Sequence, residues 1–176
     1  MIRTILYPTD LGLHGAFMLQ HVVELAVRYD AKVIALHAVE PLGVFADAVL
    51  ETYIPQDMIG DLRQYGMPAV MEAIRQQVIE AFEEDFIDLP VEPNRFSDVR
   101  VVCGAPADVI LEQQKLVNAD LIVMGSCGAD NVHPGPLGST ASKVLQGALV
   151  PVYLVPVVKN RTSVETSFLS LKRPSE

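Results

Sequence analysis

Five short runs of β-branched and apolar residues, each followed by a stretch with helical character, constrain this chain more than any other feature. The runs cover residues 2–7, 32–39, 99–103, 121–124 and 152–155. They are continuously apolar instead of alternating, as strands buried on both faces must be. Parallel strands need a crossover between them, and a helix packed on the sheet supplies it. The expectation is a single α/β domain: a three-layer sandwich around a five-stranded parallel sheet.

The intervening segments carry the helical period. Ala16, Leu19, Val22, Val23, Ala26 and Val27 fall on one stripe, which Arg28 and Asp30 close. Val70, Ile74, Val78 and Ala81 recur at spacings of three and four, predicting a helix over 69–87 with Glu80, Glu83, Glu84 and Asp85 on its solvated face. A third helix follows Ala105-Pro106, because proline at a first turn lacks an N–H that would be unpaired anyway. A fourth starts at Ser139, with Ser139 and Thr140 as its capping candidates, and ends near Gly147. Residues 41–68, punctuated by Pro41, Gly43, Pro55, Gly60, Gly66 and Pro68, exceed an ordinary connection and read as a flap or partner loop. The domain is expected over residues 1–158. The tail, 159–176, is polar except for Phe168, Leu169 and Leu171, and reads as disordered or docked on a partner subunit.

Composition narrows the function. The chain has 176 residues, half of them apolar, enough for one full core. A formal charge of -9 argues against a nucleic-acid surface, which needs clustered Lys and Arg. A phosphate bound here must therefore rely on backbone dipoles or a metal. Cys103 and Cys127 lack metal-type spacing and read as structural thiols of a reducing compartment, Cys103 as a buried one. The start has no signal-like apolar core. The longest uncharged run, 144–158, contains Gly147, Pro151 and Pro156 and falls short of the roughly 18 apolar residues of a membrane span. A soluble cytoplasmic protein is expected.

Ligands of open parallel sheets bind beyond the carboxyl ends of the strands. Pro8-Thr9-Asp10 follows the first strand, His37-Ala38-Val39 ends the second, and Gly104-Ala105-Pro106 follows the third. Met124-Gly125-Ser126-Cys127-Gly128 closes the fourth, and nine residues further on stands Gly138-Ser139-Thr140. Glycine amides and the first amides of a helix point outward unpaired, and with the helix dipole they favour a phosphate. Asp10 is open to a second role, as N-cap of the first helix. His14 and His21 lie seven apart without a third ligand nearby, so a metal site there is disfavoured. His37 reads as a hydrogen-bonded core residue, and His133 is the histidine placed to meet a phosphate. Cys127 could be a thiol of lowered pKa at a helix start, although the structural reading is preferred. A P-loop lysine, a nucleophile elbow and an acid–base pair are absent from the sequence, so an enzyme is not the leading expectation.

The opening 5–10, Leu36-His37-Ala38-Val39, Gly104-Ala105-Pro106, the Gly125/Gly128/Gly138-Ser139 spacing and the final run 151–156 together resemble the universal stress protein family over residues 1–158. The resemblance implies an adenine nucleotide alpha hydrolase-like fold with strand order 3-2-1-4-5, and the branch of the family that binds ATP or a related adenine nucleotide (ADP or AMP), with Mg2+. It implies a binding set of Pro8, Thr9, Asp10, Ala38, Val39, Gly104, Met124, Gly125, Ser126, Gly128, Gly138, Ser139 and Thr140. Ala38 and Val39 would lie against the adenine, and Asp10 would face the ribose and reach the metal through water. Gly125, Gly128, Ser139 and Thr140 would hold the phosphates. It further implies a homodimer through the last strand and a stress-response or regulatory role, with an unidentified protein partner. A weak ATP hydrolase or phosphotransfer enzyme and a nucleotide-free interaction scaffold are the alternatives. Three features depart from the family: Cys127 stands where members usually carry His or Arg, the spacer 129–137 contains Pro134-Gly135-Pro136, and residues 41–68 have no clear counterpart motif.

Overall fold

The computed structural model describes residues 1–12, 14–40, 66–86, 95–128 and 137–157. Strands and helices alternate along it: β1 (Thr4–Pro8), α1 (Gly15–Tyr29), β2 (Lys32–Val39), α2 (Met67–Phe86), β3 (Phe96–Cys103), α3 (Pro106–Leu116), β4 (Leu121–Gly125), α4 (Ser139–Gly147) and β5 (Val152–Val155). The strands form one parallel sheet in the order β3-β2-β1-β4-β5. The expected order and all five strands are therefore observed. The proposed flap, most of its length, and the tail lie outside the described residues, as do His133 and the Pro134-Gly135-Pro136 spacer.

Both faces of the central strands are buried, which explains their unbroken apolar runs. Ile5 and Tyr7 of β1, Val33 and Ala35 of β2, and Leu121 and Val123 of β4 pack in one core with Met18, Leu19, Val22 and Ala26 of α1 and Val78 of α2. The alternate residues, Leu6, Ile34, Leu36, Ile122 and Met124, pack in a second core with Ala107, Val109 and Ile110 of α3 and Ala141 and Val144 of α4. Each fully buried Leu, Ile or Val of these layers contributes roughly 1.5–3 kcal/mol relative to exposure. Helices α1 and α2 thus cover one face and α3 and α4 the other.

The edges depart from the sequence pattern. β3 begins three residues earlier than its β-branched run, at Phe96, and includes Ser97, Asp98 and Arg100. At an edge the strand is only half buried, so polar side chains are tolerated: the Arg100 guanidinium bonds Asp98 Oδ2 and Gln113 Oε1, each at 2.9 Å. Cys103 is exposed at the end of this strand, which corrects the expectation of a buried thiol.

Helix ends follow local chemistry. Asp30 ends α1 at φ 51°, where its N–H bonds Ala26 and Val27 carbonyls; a short polar residue tolerates this left-handed position. Pro106 sits in the first turn of α3 as expected. Asp120, just before β4, joins β4 to β1: its carboxylate accepts from the Arg3 and Thr4 amides at 2.8 and 3.0 Å, and its own N–H donates to the Thr4 carbonyl.

Those two backbone N–H groups hold the Asp120 carboxyl below its ordinary value of 3.8. Asp120→Ala is expected to lower the unfolding free energy by about 0.5–1 kcal/mol at neutral pH, less than for a buried charged acceptor because the carboxylate is open to water. A depressed folded pKa stabilises fully above the unfolded value, and that contribution disappears as pH falls through the folded one. Urea titrations of wild type and variant should therefore stay apart at neutral pH and converge at the acid end; a gap constant with pH would contradict the assignment.

Candidate functional site

The strand order places a crevice between the carboxyl ends of β1 and β4. The chain leaves β1 for α1 on one face and leaves β4 toward α4 on the other, so the connections part and, among the described residues, no helix covers the opening. A cavity of about 410 Å³ occupies it, within the roughly 300–1,000 Å³ of small-molecule sites.

One wall comes from the loop after β1. Thr9 is anchored three ways: its N–H donates to the Leu36 carbonyl at 2.9 Å, its hydroxyl accepts from the Leu11 amide at 3.1 Å, and its carbonyl accepts from His37 Nδ1 at 2.9 Å. Asp10 Oδ1 accepts from the Gly12 amide at 3.0 Å, an Asx-type turn. The N-cap of α1 is His14, not Asp10, and it makes no side-chain capping bond. This corrects the capping role considered for Asp10. His14 and Gly15 line the cavity at the start of α1.

The opposite wall is the turn after β4. Gly125 and Gly128 both line the cavity, and a Cβ built on Gly128 would stand 3.1 Å from Asp10 Oδ2. The two loops therefore meet across the crevice. Ser126 ties this turn down: its N–H donates to the Val155 carbonyl at 2.8 Å, its carbonyl accepts from the Gly138 amide at 2.7 Å, and its hydroxyl accepts from the Val157 amide at 3.0 Å. Gly138 is held so close that a Cβ there would lie 3.2 Å from Cys127 Cα and 3.3 Å from the Ser126 carbonyl oxygen. A side chain there would fit only if the Ser126–Cys127 backbone gave way by a few tenths of an ångström.

Gly138, not Ser139, is the N-cap of α4, again without a side-chain capping bond. Ser139 and Thr140 are the first helical residues, which corrects their reading as caps. The amides of Ser139, Thr140 and Ala141 occupy the positions that have no intrahelical acceptor, and all three residues line the cavity. The positive end of the α4 dipole therefore faces the opening, as does that of α1. Ala38, Leu36, Ile110 and Met124 add an apolar side.

Of the thirteen residues in the sequence-derived set, ten line the cavity: Pro8, Thr9, Asp10, Ala38, Met124, Gly125, Gly128, Gly138, Ser139 and Thr140. Val39, Gly104 and Ser126 do not. Val39 pairs with Cys103 in the ladder, and its carbonyl accepts from the Gly104 amide at 2.9 Å. Gly104, at φ 152°, makes the turn into α3, where a Cβ would collide with Val109 at 2.7 Å. Ser126 is buried and spends its polar groups on β5 and Gly138. His37 is another correction: it is half buried on the cavity wall and not in the core. His14, Tyr7, Met18, Pro106, Ile110 and Val157 also line the cavity and were not singled out as ligands. Two of them, His14 and Pro106, stand at helix starts facing the sheet edge, a signal available in the sequence; the others are there through packing alone. Among the described residues, no group of three or more His, Cys, Asp or Glu could hold a metal ion.

The profile of the universal stress protein family matches residues 1–156. Universal stress protein A homolog 2 of Coxiella burnetii is 30% identical over 135 residues, spanning 76% of this chain and 80% of that one. Among solved structures, the universal stress protein UspA from Lactobacillus plantarum superposes with a TM-score of 0.56 at 23% identity, covering 88% of this chain and 97% of that chain. A universal stress protein in complex with cAMP gives 0.54 at 19% identity, covering 89% and 98%. At these identities the structural likeness speaks for the fold.

Ser126→Ala removes a buried acceptor and leaves the Val157 amide unpaired, so a loss of about 1–2 kcal/mol in urea unfolding is expected. Ser139→Ala, exposed in the first turn of α4, should stay within about 0.5 kcal/mol of wild type. Equal stabilities for the two variants would contradict the division of roles between these serines.

Proposed function

This chain belongs to the universal stress protein family, and we propose that its cavity holds an adenine nucleotide, with ATP and Mg2+ as the working ligands, in a stress-response or regulatory protein. The observation that carries this reading is the convergence of the Asp10 loop, the Gly125–Gly128 turn and the uncapped first turn of α4 on one cavity. The complex of another family member with cAMP supports an adenine nucleotide as the ligand class.

The residues divide by chemistry. The amides of Ser139, Thr140 and Ala141 and the hydroxyls of Ser139 and Thr140 donate to phosphate oxygens, favoured by the helix dipole. The Asp10 carboxylate, acceptor-only when ionised, receives ribose hydroxyls. Ala38, Ile110 and Met124 offer apolar surface to the base. An oxygen donor set of one carboxylate, phosphates and water suits Mg2+, which retains several waters and commonly uses one or two carboxylates. Asp10 is the residue that would hold it, through water, and the ion would offset phosphate charge. β5 forms an edge of the sheet with Tyr153 41% exposed beside Val152 and Leu154, and we read it as the contact for a second copy.

Purified protein should release an adenine nucleotide on denaturation, identified by chromatography, or show a rise in Tm on addition of MgATP. Asp10→Ala is expected to weaken ATP binding at least about tenfold in a calorimetric titration, since a charged acceptor is removed. Neither released nucleotide nor any shift with MgATP would overturn the reading.

A further inference from the structure

His37 occupies a position whose chemistry the nucleotide reading leaves unused. It lies on β2 next to Ala38, on the cavity wall, half buried, and its Nδ1 stands 2.9 Å from the carbonyl oxygen of Thr9, the residue before Asp10. A carbonyl oxygen only accepts, so Nδ1 carries the proton. In the neutral ring that tautomer leaves Nε2 with its lone pair, as an acceptor. Nε2 has no other partner among the described residues. The cavity wall thus carries an imidazole with one nitrogen fixed by the Thr9 carbonyl and the other, among the described residues, left as an acceptor.

From this geometry we propose that His37 is a specificity-determining residue, whose Nε2 accepts a hydrogen bond from a ribose hydroxyl of the bound nucleotide. The inference rests on the adenine-nucleotide reading. The ribose is favoured over the base because Nδ1 of His37 is bonded to the carbonyl of Thr9, the residue before Asp10, whose carboxylate is the acceptor assigned to the ribose. Two acceptors from two strands, Asp10 after β1 and His37 on β2, would then serve the two vicinal hydroxyls, each rejecting a sugar that lacks its partner. A site that hydrogen-bonds a hydroxyl discriminates against the analogue without it because that bond is lost and, at the half-buried His37, the acceptor is left partly desolvated.

Three nucleotides test this: ATP, 2′-deoxyATP and 3′-deoxyATP, titrated with Mg2+ into wild-type protein, His37→Asn and His37→Phe. Asparagine keeps a donor at the Nδ1 position for the Thr9 carbonyl but has nothing at Nε2; phenylalanine keeps the ring volume and loses both. Wild type is expected to bind each deoxy analogue about 5- to 10-fold more weakly than ATP, the worth of one hydrogen bond. In His37→Asn, the ratio at one hydroxyl should fall below about twofold while the other persists and Tm stays near wild type. His37→Phe should lose the same ratio, together with some stability. Ratios unchanged in His37→Asn would overturn the proposal, as would an equal weakening of all three nucleotides, which would make His37 a support of the Thr9 loop alone. Wild-type protein that binds none of the three would instead overturn the nucleotide reading itself, and this inference with it.

Discussion

A parallel sheet buried on both faces has only its edges and its strand ends left for function, and everything specific about this protein follows from that constraint. Ile5, Tyr7, Val33, Ala35, Leu121 and Val123 are committed to one core, and Leu6, Ile34, Leu36, Ile122 and Met124 to the other. Chemistry is displaced to the loops at the carboxyl ends. Among those ends, the β1–β4 gap differs from its neighbours because the chain leaves it in opposite directions, so neither α1 nor α4 runs across it. The cavity is a consequence of strand order and needs no carving by special residues.

What turns a gap into a site is the bonding of Ser126. Three bonds to Val155, Val157 and Gly138 join the end of β4 to the end of β5 and to the start of α4. Because Gly138 must approach the Ser126 carbonyl to 2.7 Å, α4 starts where its first amides open on the cavity. Across the gap, Thr9 is held to β2 through Leu36 and His37, which fixes Asp10 opposite Gly128. Both walls are therefore set by backbone groups bonded to neighbouring strands before any ligand arrives. Such preorganisation reduces the ordering that binding would otherwise require.

Much of this was legible in the chain. The continuous apolar runs marked the strands because a doubly buried strand leaves no alternative pattern, and the i, i+3, i+4 stripe of Ala16 to Val27 marked α1 for the same reason. β3 was read short because its first residues, Phe96, Ser97 and Asp98, belong to an edge, where burial no longer dictates apolarity. The glycines at 125, 128 and 138 announced a close-packed turn, and all three lie on the cavity. Their neighbours did not follow so simply. Ser126 looked like a phosphate ligand by type and position, yet its hydroxyl is taken by the Val157 amide just beyond β5. Val39 and Gly104 sit beyond the cavity, where Val39 pairs with Cys103 and its carbonyl takes the Gly104 amide. His37 looked like a core residue because it stands in an apolar strand, but it lies near the carboxyl end of β2, half buried on the cavity wall.

The sequence by itself determined the class of fold, the family resemblance and the edge of the sheet where ligands belong, because these depend on periodicity and on glycine and proline chemistry that act locally. Only the tertiary structure decided which residues of each loop face the cavity, because that depends on contacts between segments more than a hundred residues apart, such as Asp10 with Gly128. It likewise made Gly138 the cap and Ser139 a free first-turn donor, and it set the proton of His37 by placing Thr9's carbonyl against Nδ1.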